Sequence, residues 1–427
     1  MPFLSQMIVL HNPHKIWFKE TLSSFRRRTR AVHKYDYMLE WLLDQDELIN
    51  VYVDSSHPTD IFHGLLKVFS SNMLEFKLWT KINNFPISRF KIHENIMDLQ
   101  KDDILFSFAY GHFNYADMNY LKKPEVISGR LRRARCKKVF HLSHFGYNTG
   151  YAAKYSNSSG VSRFVSEANL RSTSKIFNEY FNWYEQKVIV LPFVPEKRFQ
   201  SLVPFNERRN IALAMGTITY PIDDDNFRVI YPDGVLQPMR NLIHSNKDNI
   251  SSFVDCQITS IKDYGSSAKG DKENKYFQRI RKFLCDDFNL ITRIFYKSNS
   301  AGESQSNRAN EREYYKKDIV RIFNNYRMFV VPEEVIGLPG IGFVEGMACG
   351  CAYVGLNSPI YKDYGMEDKK HYIAYDGSIK DLVDKIAYYQ KNVEELEVIA
   401  LAGRIFADKN FNKNTVVSKF MTTIEEI

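Results

Sequence analysis

PEEVIGLPGIGFVEGMACGCAYVG, residues 332–355, joins the end of an apolar strand to a glycine turn and a small-residue helix. The run Met328-Phe329-Val330-Val331 just before it is short, apolar and β-prone, and Pro332 stops it. Gly337, Gly340 and Gly342 let the backbone of the following loop approach an anionic ligand with no Cβ in the way. Residues 343–349 have helical composition, and the free N–H groups at the start of such a helix favour negative charge. Glu345 falls in the first turn of that helix, where a carboxylate can accept both hydroxyls of a ribose. Gly346, Ala348, Cys349 and Gly350 are small enough for the helix to lie close on a sheet before the next strand, residues 351–356. The layout is that of a nucleotide-binding corner in an α/β protein.

The segment GFVEGMACG, 342–350, resembles the signature of the retaining glycosyltransferases of group 1 (family 4). In that family a strand ending in proline leads through an acid and a glycine turn to a second acid and an "EAMACG"-like helix. The resemblance implies that Glu345 is the ribose-binding acid. The family's first acid stands eight residues earlier, where this chain has Gly337, while Glu334 and Glu333 lie three and four residues before that. The donor-sugar role implied for a first acid therefore goes to Glu334 across a longer spacing. RRNIALAMGTITYP, 208–221, is similar to the first strand and glycine turn of the nucleotide-binding half of these enzymes, with Gly216 and Thr217 on the donor. KVIVLPFVPEKRF, 187–199, resembles the end of their first half, and GMEDKKHYIAYDGSIKDLVDKIAYY, 365–389, the strand and helix that close the second sheet. The resemblance covers about 200 residues and leaves the first 185 without a specific match. It implies a GT-B architecture, two Rossmann-like α/β domains with parallel sheets facing across a cleft. The implied division is 1–200 for the acceptor, 201–410 for the nucleotide-sugar donor and a C-terminal helix at 411–427 that crosses back.

Composition suits this size of protein. With 427 residues, 44% hydrophobic and 25% charged, the chain can bury two cores. No apolar run reaches the ~18–20 residues needed to span a bilayer, and the first residues are too short and wrongly flanked for a signal peptide, so a cytoplasmic protein is expected. Cys136, Cys256, Cys285, Cys349 and Cys351 show no CxxC or zinc-type spacing, so neither a disulfide framework nor a metal site is expected.

Alternating patterns predict strands at 7–10, 48–53, 73–80, 103–109, 138–142, 163–165 and 187–191, with a helix at 32–46 whose Tyr35, Met38, Leu39, Leu42 and Leu43 form one stripe. Pro192, Pro195 and Pro204 punctuate the crossing into the second half, and the hinge is placed at 195–208. A strand at 210–215 follows, then the polar, loop-rich stretches 223–264 and 298–313, and a final helix at 416–427.

Breaking a sugar–phosphate bond builds negative charge on the departing nucleoside diphosphate, which cations and N–H donors can stabilise without an obligatory metal. Candidate cations are Arg279, Arg281 and Lys282, with Arg293 and Lys297 beyond them. On the acceptor side KVFHLSHFGYNTGY, 138–151, carries His141 and His144 at the end of a strand, the edge where open α/β sheets bind ligands. His144 is the candidate to face the donor sugar, as a histidine of the first half does in the family, and His141 is more simply a core residue. His11, His14 and His112 could also line the cleft.

HKIWFKETLSSFRRRTRAVHK, 14–34, holds seven Lys or Arg against one Glu among aromatic residues, and RLRRARCKK, 130–138, is a second basic cluster. Residues 15–34 suit an anionic membrane surface. Nucleic acid competes through the +8 net charge, but no nucleic-acid motif is present. Asp223, Asp224 and Asp225 read as a solvated acidic loop. The implied reaction is transfer from a nucleotide sugar to a glycan or lipid-linked acceptor, with retention, in surface polysaccharide or glycoconjugate synthesis. A sugar-nucleotide epimerase of the same fold and a non-catalytic glycan- or nucleic-acid-binding relative are the alternatives.

Overall fold

The computed structural model describes residues 7–15, 34–53, 72–108, 131–142, 145–221, 224–260, 317–332 and 337–427. They build two parallel sheets. The first holds β1 (Ile8–His11), β2 (Ile49–Tyr52), β3 (Phe90–His93), β4 (Ile104–Phe108), β5 (Lys137–His141), β6 (Arg163–Ser166) and β7 (Ile189–Val190), in the order β3-β2-β1-β4-β5-β6-β7. The second holds β8 (Arg209–Ile218), β9 (Val254–Ser260), β10 (Tyr326–Val330), β11 (Ala352–Leu356) and β12 (Ile373–Tyr375), in the order β12-β11-β10-β8-β9. All pairings between these strands are parallel, which forces each connection to cross over a face. Two doubly wound α/β sheets are thus the fold class expected from the sequence. Strand order reverses between β1 and β4 in one sheet and between β8 and β10 in the other, and such switch points open a crevice at the carboxyl ends of the strands.

Burial alternates along the second sheet because side chains of a strand point to opposite faces. Met328 and Val330 of β10 pack with Ala212, Val354, Leu382 and Ile399 on one face, whereas Phe329 and Val331 pack with Tyr353, Phe343 and Tyr361 on the other. That second cluster runs on without a break into the core of the first sheet. The final helix, Lys413–Glu425, lies on the first half: Phe420 meets the ring of Phe106 at 5.3 Å, and Lys413 Nζ reaches Asp44 Oδ2 at 2.5 Å. Among the described residues no helix is long and apolar enough to cross a membrane.

Two expectations need correction. Residues 73–80 are not a strand but belong to the helix Asn72–Ile82, which buries Phe76, Trp79 and Thr80 at helical spacing, and the edge of the sheet is taken instead by β3. Leu, Met, Glu and Lys in that segment favour a helix, and tertiary burial of one stripe settles the choice. The stretch 223–264, expected to be loop-rich, carries the helices Asp224–Ile230 and Pro238–Ser245 and then β9. Pro238 sits at the first position of its helix, where a missing N–H costs nothing, and Ile243 anchors the helix in the core.

Arg208 fastens the connection between the halves. Although only 4% exposed, it donates to the carbonyls of Val203 and Cys349, to Ser201 Oγ and to Asn324 Oδ1. Cys349 and Cys351 are buried free thiols beside it, in the packing role their size suggests.

Candidate active site

The glycine turn and the helix Gly342–Ala348 follow β10, as the sequence predicts. The helix lies tight on its own sheet: a Cβ at Gly346 would come within 2.5 Å of the Phe329 ring, and one at Gly342 within 3.1 Å of Val331. Gly216, expected in a turn after a strand at 210–215, lies inside β8, which runs on to Ile218 because Gly216, Thr217 and Ile218 pair with β9; at φ +148 it stands near the carboxyl end of that strand. Between Gly216 of β8 and Gly340 of the turn after β10 lies one guanidinium. A Cβ on Gly216 would stand 2.6 Å from Arg240 Nε, and one on Gly340 would stand 3.4 Å from Arg240 Nη2. Arg240 Nη1 donates to the carbonyl of Thr217 at 3.0 Å. Gln237, one turn away on the same segment, pairs with Thr219, so the whole 217–219 extension is held by residues 236–240. A cation therefore occupies the switch point between β8 and β10, flanked by two backbones without side chains.

Glu345 is 6% exposed. Burial, and then the nearby carboxylate of Glu196, push its carboxyl up to about 8, while Arg198 and Lys34 act in the opposite sense. At neutral pH it consequently keeps its proton and can accept from one hydroxyl while donating to another. Lys34, Glu196 and Arg198 come from the first half and the connection. Arg198 is paired with Glu196 at 2.9 Å, and Lys34 lies over the Phe193 ring at 5.3 Å.

The facing edge of the first sheet is filled with rings. His11, at the end of β1, shares a hydrogen bond with Ser107 Oγ at 3.1 Å and stacks on Tyr52. His141, fully buried at the end of β5, lies between Phe108 and Tyr35 at 4.8 and 4.7 Å, and His14 sits edge-on to Phe76. Beside them Glu167, 2% exposed, accepts from the hydroxyl of Tyr35 and from Ser166 Oγ. The two halves touch here. The Tyr364 hydroxyl donates to the carbonyl of Glu167, and Gly337, at φ +74, lies so close to Thr173 that a Cβ would meet its carbonyl oxygen at 2.4 Å.

Of the residues expected at the site, the structure brings Gly216, Thr217 and Gly340 together around Arg240, places Gly342 and Glu345 on the helix after the turn, and puts Gly337 against the other half. His144, Glu334, Arg279, Arg281 and Lys282 lie outside the described residues, as do His112, Arg293, Lys297, Asp223 and residues 16–33 of the basic segment. Arg240 was missed because residues 223–264 read as loop. Its signal was present in QPMRNLIHS, a proline followed by Met239, Leu242 and Ile243 at helical spacing right after a glycine turn.

No protein-family model matches the chain, and no curated protein matches it. Solved structures do resemble it. HepE of Anabaena, in complex with UDP, aligns over 99% of this chain and 100% of its own at 11% identity and a TM-score of 0.48. Sucrose-phosphate synthase from Thermosynechococcus elongatus aligns over 99% and 98% at 10% identity and a TM-score of 0.46. The pneumococcal O-GlcNAc transferase GtfA, in complex with UDP and GlcNAc, aligns over 77% of this chain and 57% of its own at 13% identity and a TM-score of 0.38. These proteins are GT-B glycosyltransferases. At such identities and scores the likeness carries no argument about this chain's chemistry, which rests on its own residues.

Proposed function

We propose that this chain is a nucleotide-sugar-dependent glycosyltransferase that moves a glycosyl unit, with retention, to a glycan or lipid-linked acceptor. Residues 201–410 hold the donor, residues 1–200 hold the acceptor, and 411–427 close back on the first half. The observation that carries the reading is Arg240, held between Gly216 and Gly340 at the switch point of the second sheet. A fixed guanidinium between a bare strand end and a bare turn suits the diphosphate that gains charge as the sugar leaves, since charge-assisted hydrogen bonds in a preorganised site lower the barrier most where charge develops. Glu345 supports it from the helix after the turn as the partner of the ribose hydroxyls.

No resident metal enters this scheme: side-chain cations and backbone N–H groups neutralise the phosphates, and turnover should survive EDTA. Loss on chelation with recovery in manganese would overturn that part. Residues 15–34 dock the enzyme on anionic lipid at the inner face of a membrane, where each Lys or Arg adds ~1 kcal/mol. Changing Arg26, Arg27, Arg28 and Arg30 to Gln should release it from anionic liposomes, and unchanged binding would remove the membrane from the scheme.

The central experiment incubates the protein with a panel of nucleotide sugars, without and with a lipid-linked acceptor. Transfer or donor hydrolysis that Arg240→Ala suppresses is the expected result. An isomerised sugar would replace the reading with an epimerase, and silence toward every donor with retained glycan binding would replace it with a non-catalytic relative.

A further inference from the structure

The helix Val393–Asn410 buries Leu396, Ile399, Ala400, Gly403 and Ala407 in the second half. Its outer face is apolar as well. Val398 is 67% exposed, Leu401 50% and Ile405 56%, and their three- and four-residue spacing makes them one stripe. Tyr388 of the helix Ile379–Lys391, half exposed, adds a ring at the edge, its hydroxyl bonded to Glu395 Oε2 at 2.9 Å.

Charge is distributed unevenly along this helix. Glu394, Glu395 and Glu397 stand toward its start, and Arg404 and Lys409 toward its end, with Asp408 between them. Residues seven apart on a helix differ in direction by only ~20°, so Glu397 and Arg404 flank the same side of the stripe. Among the described residues neither belongs to an ion pair.

We propose that this face joins two copies of the chain, with the two helices antiparallel and related by a twofold axis near Leu401. A twofold perpendicular to both helices sets each position opposite one equally far beyond the centre, and it keeps each flank on its own side. Glu397 then falls beside the partner subunit's Arg404, and the symmetry makes the same pair a second time. Lys409 comes level with the partner subunit's Glu394, while Leu401 packs on its own symmetry mate between Val398 and Ile405. Such self-complementarity is what an isologous contact requires. A lipid surface is the poorer occupant, because four acids, Glu394, Glu395, Glu397 and Asp408, surround the stripe against two bases, Arg404 and Lys409, and would be repelled by anionic headgroups.

The test is light scattering and sedimentation of the full chain over a concentration series. The parent should dimerise, and Leu401→Glu, at an exposed position that leaves the fold intact by circular dichroism, should raise the dissociation constant at least ~tenfold. Glu397→Arg and Arg404→Glu should each weaken the dimer, and the double variant, which restores opposite charges with their places exchanged, should recover it. A parent that stays monomeric at all concentrations, a double variant no better than either single change, or anionic-vesicle binding by the parent that Leu401→Glu abolishes would each overturn the proposal.

Discussion

Both sheets are parallel with a switch point, but their carboxyl edges have opposite furnishing. On the first, His11, His141, Tyr35, Tyr52 and Phe108 close over the strand ends, ring against ring. On the second, Gly216 and Gly340 leave the strand ends bare around Arg240. Large rings contribute burial and specific packing, whereas a backbone without Cβ contributes access at the cost of conformational entropy. The comparison teaches that one edge is built as packed structure and the other leaves main chain uncovered beside a fixed cation, as the proposed donor site requires.

The largest expected effect distinguishing the two edges comes from Glu345. Burial pushes its folded carboxyl up to about 8 from the ordinary 4.5, so the folded state binds more protons than the unfolded state across that interval. Stability should accordingly be highest below about pH 4.5 as far as this group is concerned, and fall as pH rises to about 8. A shift of that size corresponds to on the order of 5 kcal/mol. Glu345→Gln should flatten the pH dependence measured by denaturant unfolding and also weaken nucleoside diphosphate binding by up to about tenfold, near the worth of one neutral hydrogen bond. A variant with the parent's pH slope would show that Glu345 is not the titrating group.

Next comes Arg240. Arg240→Ala should lower kcat/KM for the donor by about 100-fold, and Arg240→Lys should recover part of that, since it keeps the charge and loses the fork. Steady-state kinetics on folded variants decide this, and a loss below about threefold would move the diphosphate elsewhere.

Gly346→Ala tests how closely the helix must lie on β10. A Cβ there would overlap the Phe329 ring at 2.5 Å, and because Phe329 is fully buried it cannot swing away, so overpacking should cost ~1–3 kcal/mol and lower the melting temperature. An unchanged melting temperature would mean the helix shifts freely.

The smallest effect belongs to the first edge. His141→Phe puts a ring of similar shape between Phe108 and Tyr35 and should change stability by less than ~1.5 kcal/mol, with kcat/KM within about twofold. A large kinetic loss would make the packed edge part of the chemistry and erase the contrast.

Sequence alone determined the elements whose signal is local. The run 328–331 with Pro332, the glycines after it and the GFVEGMACG helix specify strand, turn and helix through β propensity, absent Cβ atoms and small side chains, and they appear as β10, the turn and the helix Gly342–Ala348. The strands near 8, 49, 104 and 137 were legible for the same reason, being short apolar runs between punctuating residues. Tertiary structure decided what depends on partners far along the chain. Residues 73–80 became a helix because Phe76 and Trp79 find a buried face only when they share one stripe. Arg240 came to lie between Gly216 and Gly340 because β8 and β10, more than a hundred residues apart in sequence, lie side by side. The upward push on the Glu345 carboxyl comes from burial and then from Glu196, a property of the assembled halves that no reading of neighbours along the chain contains.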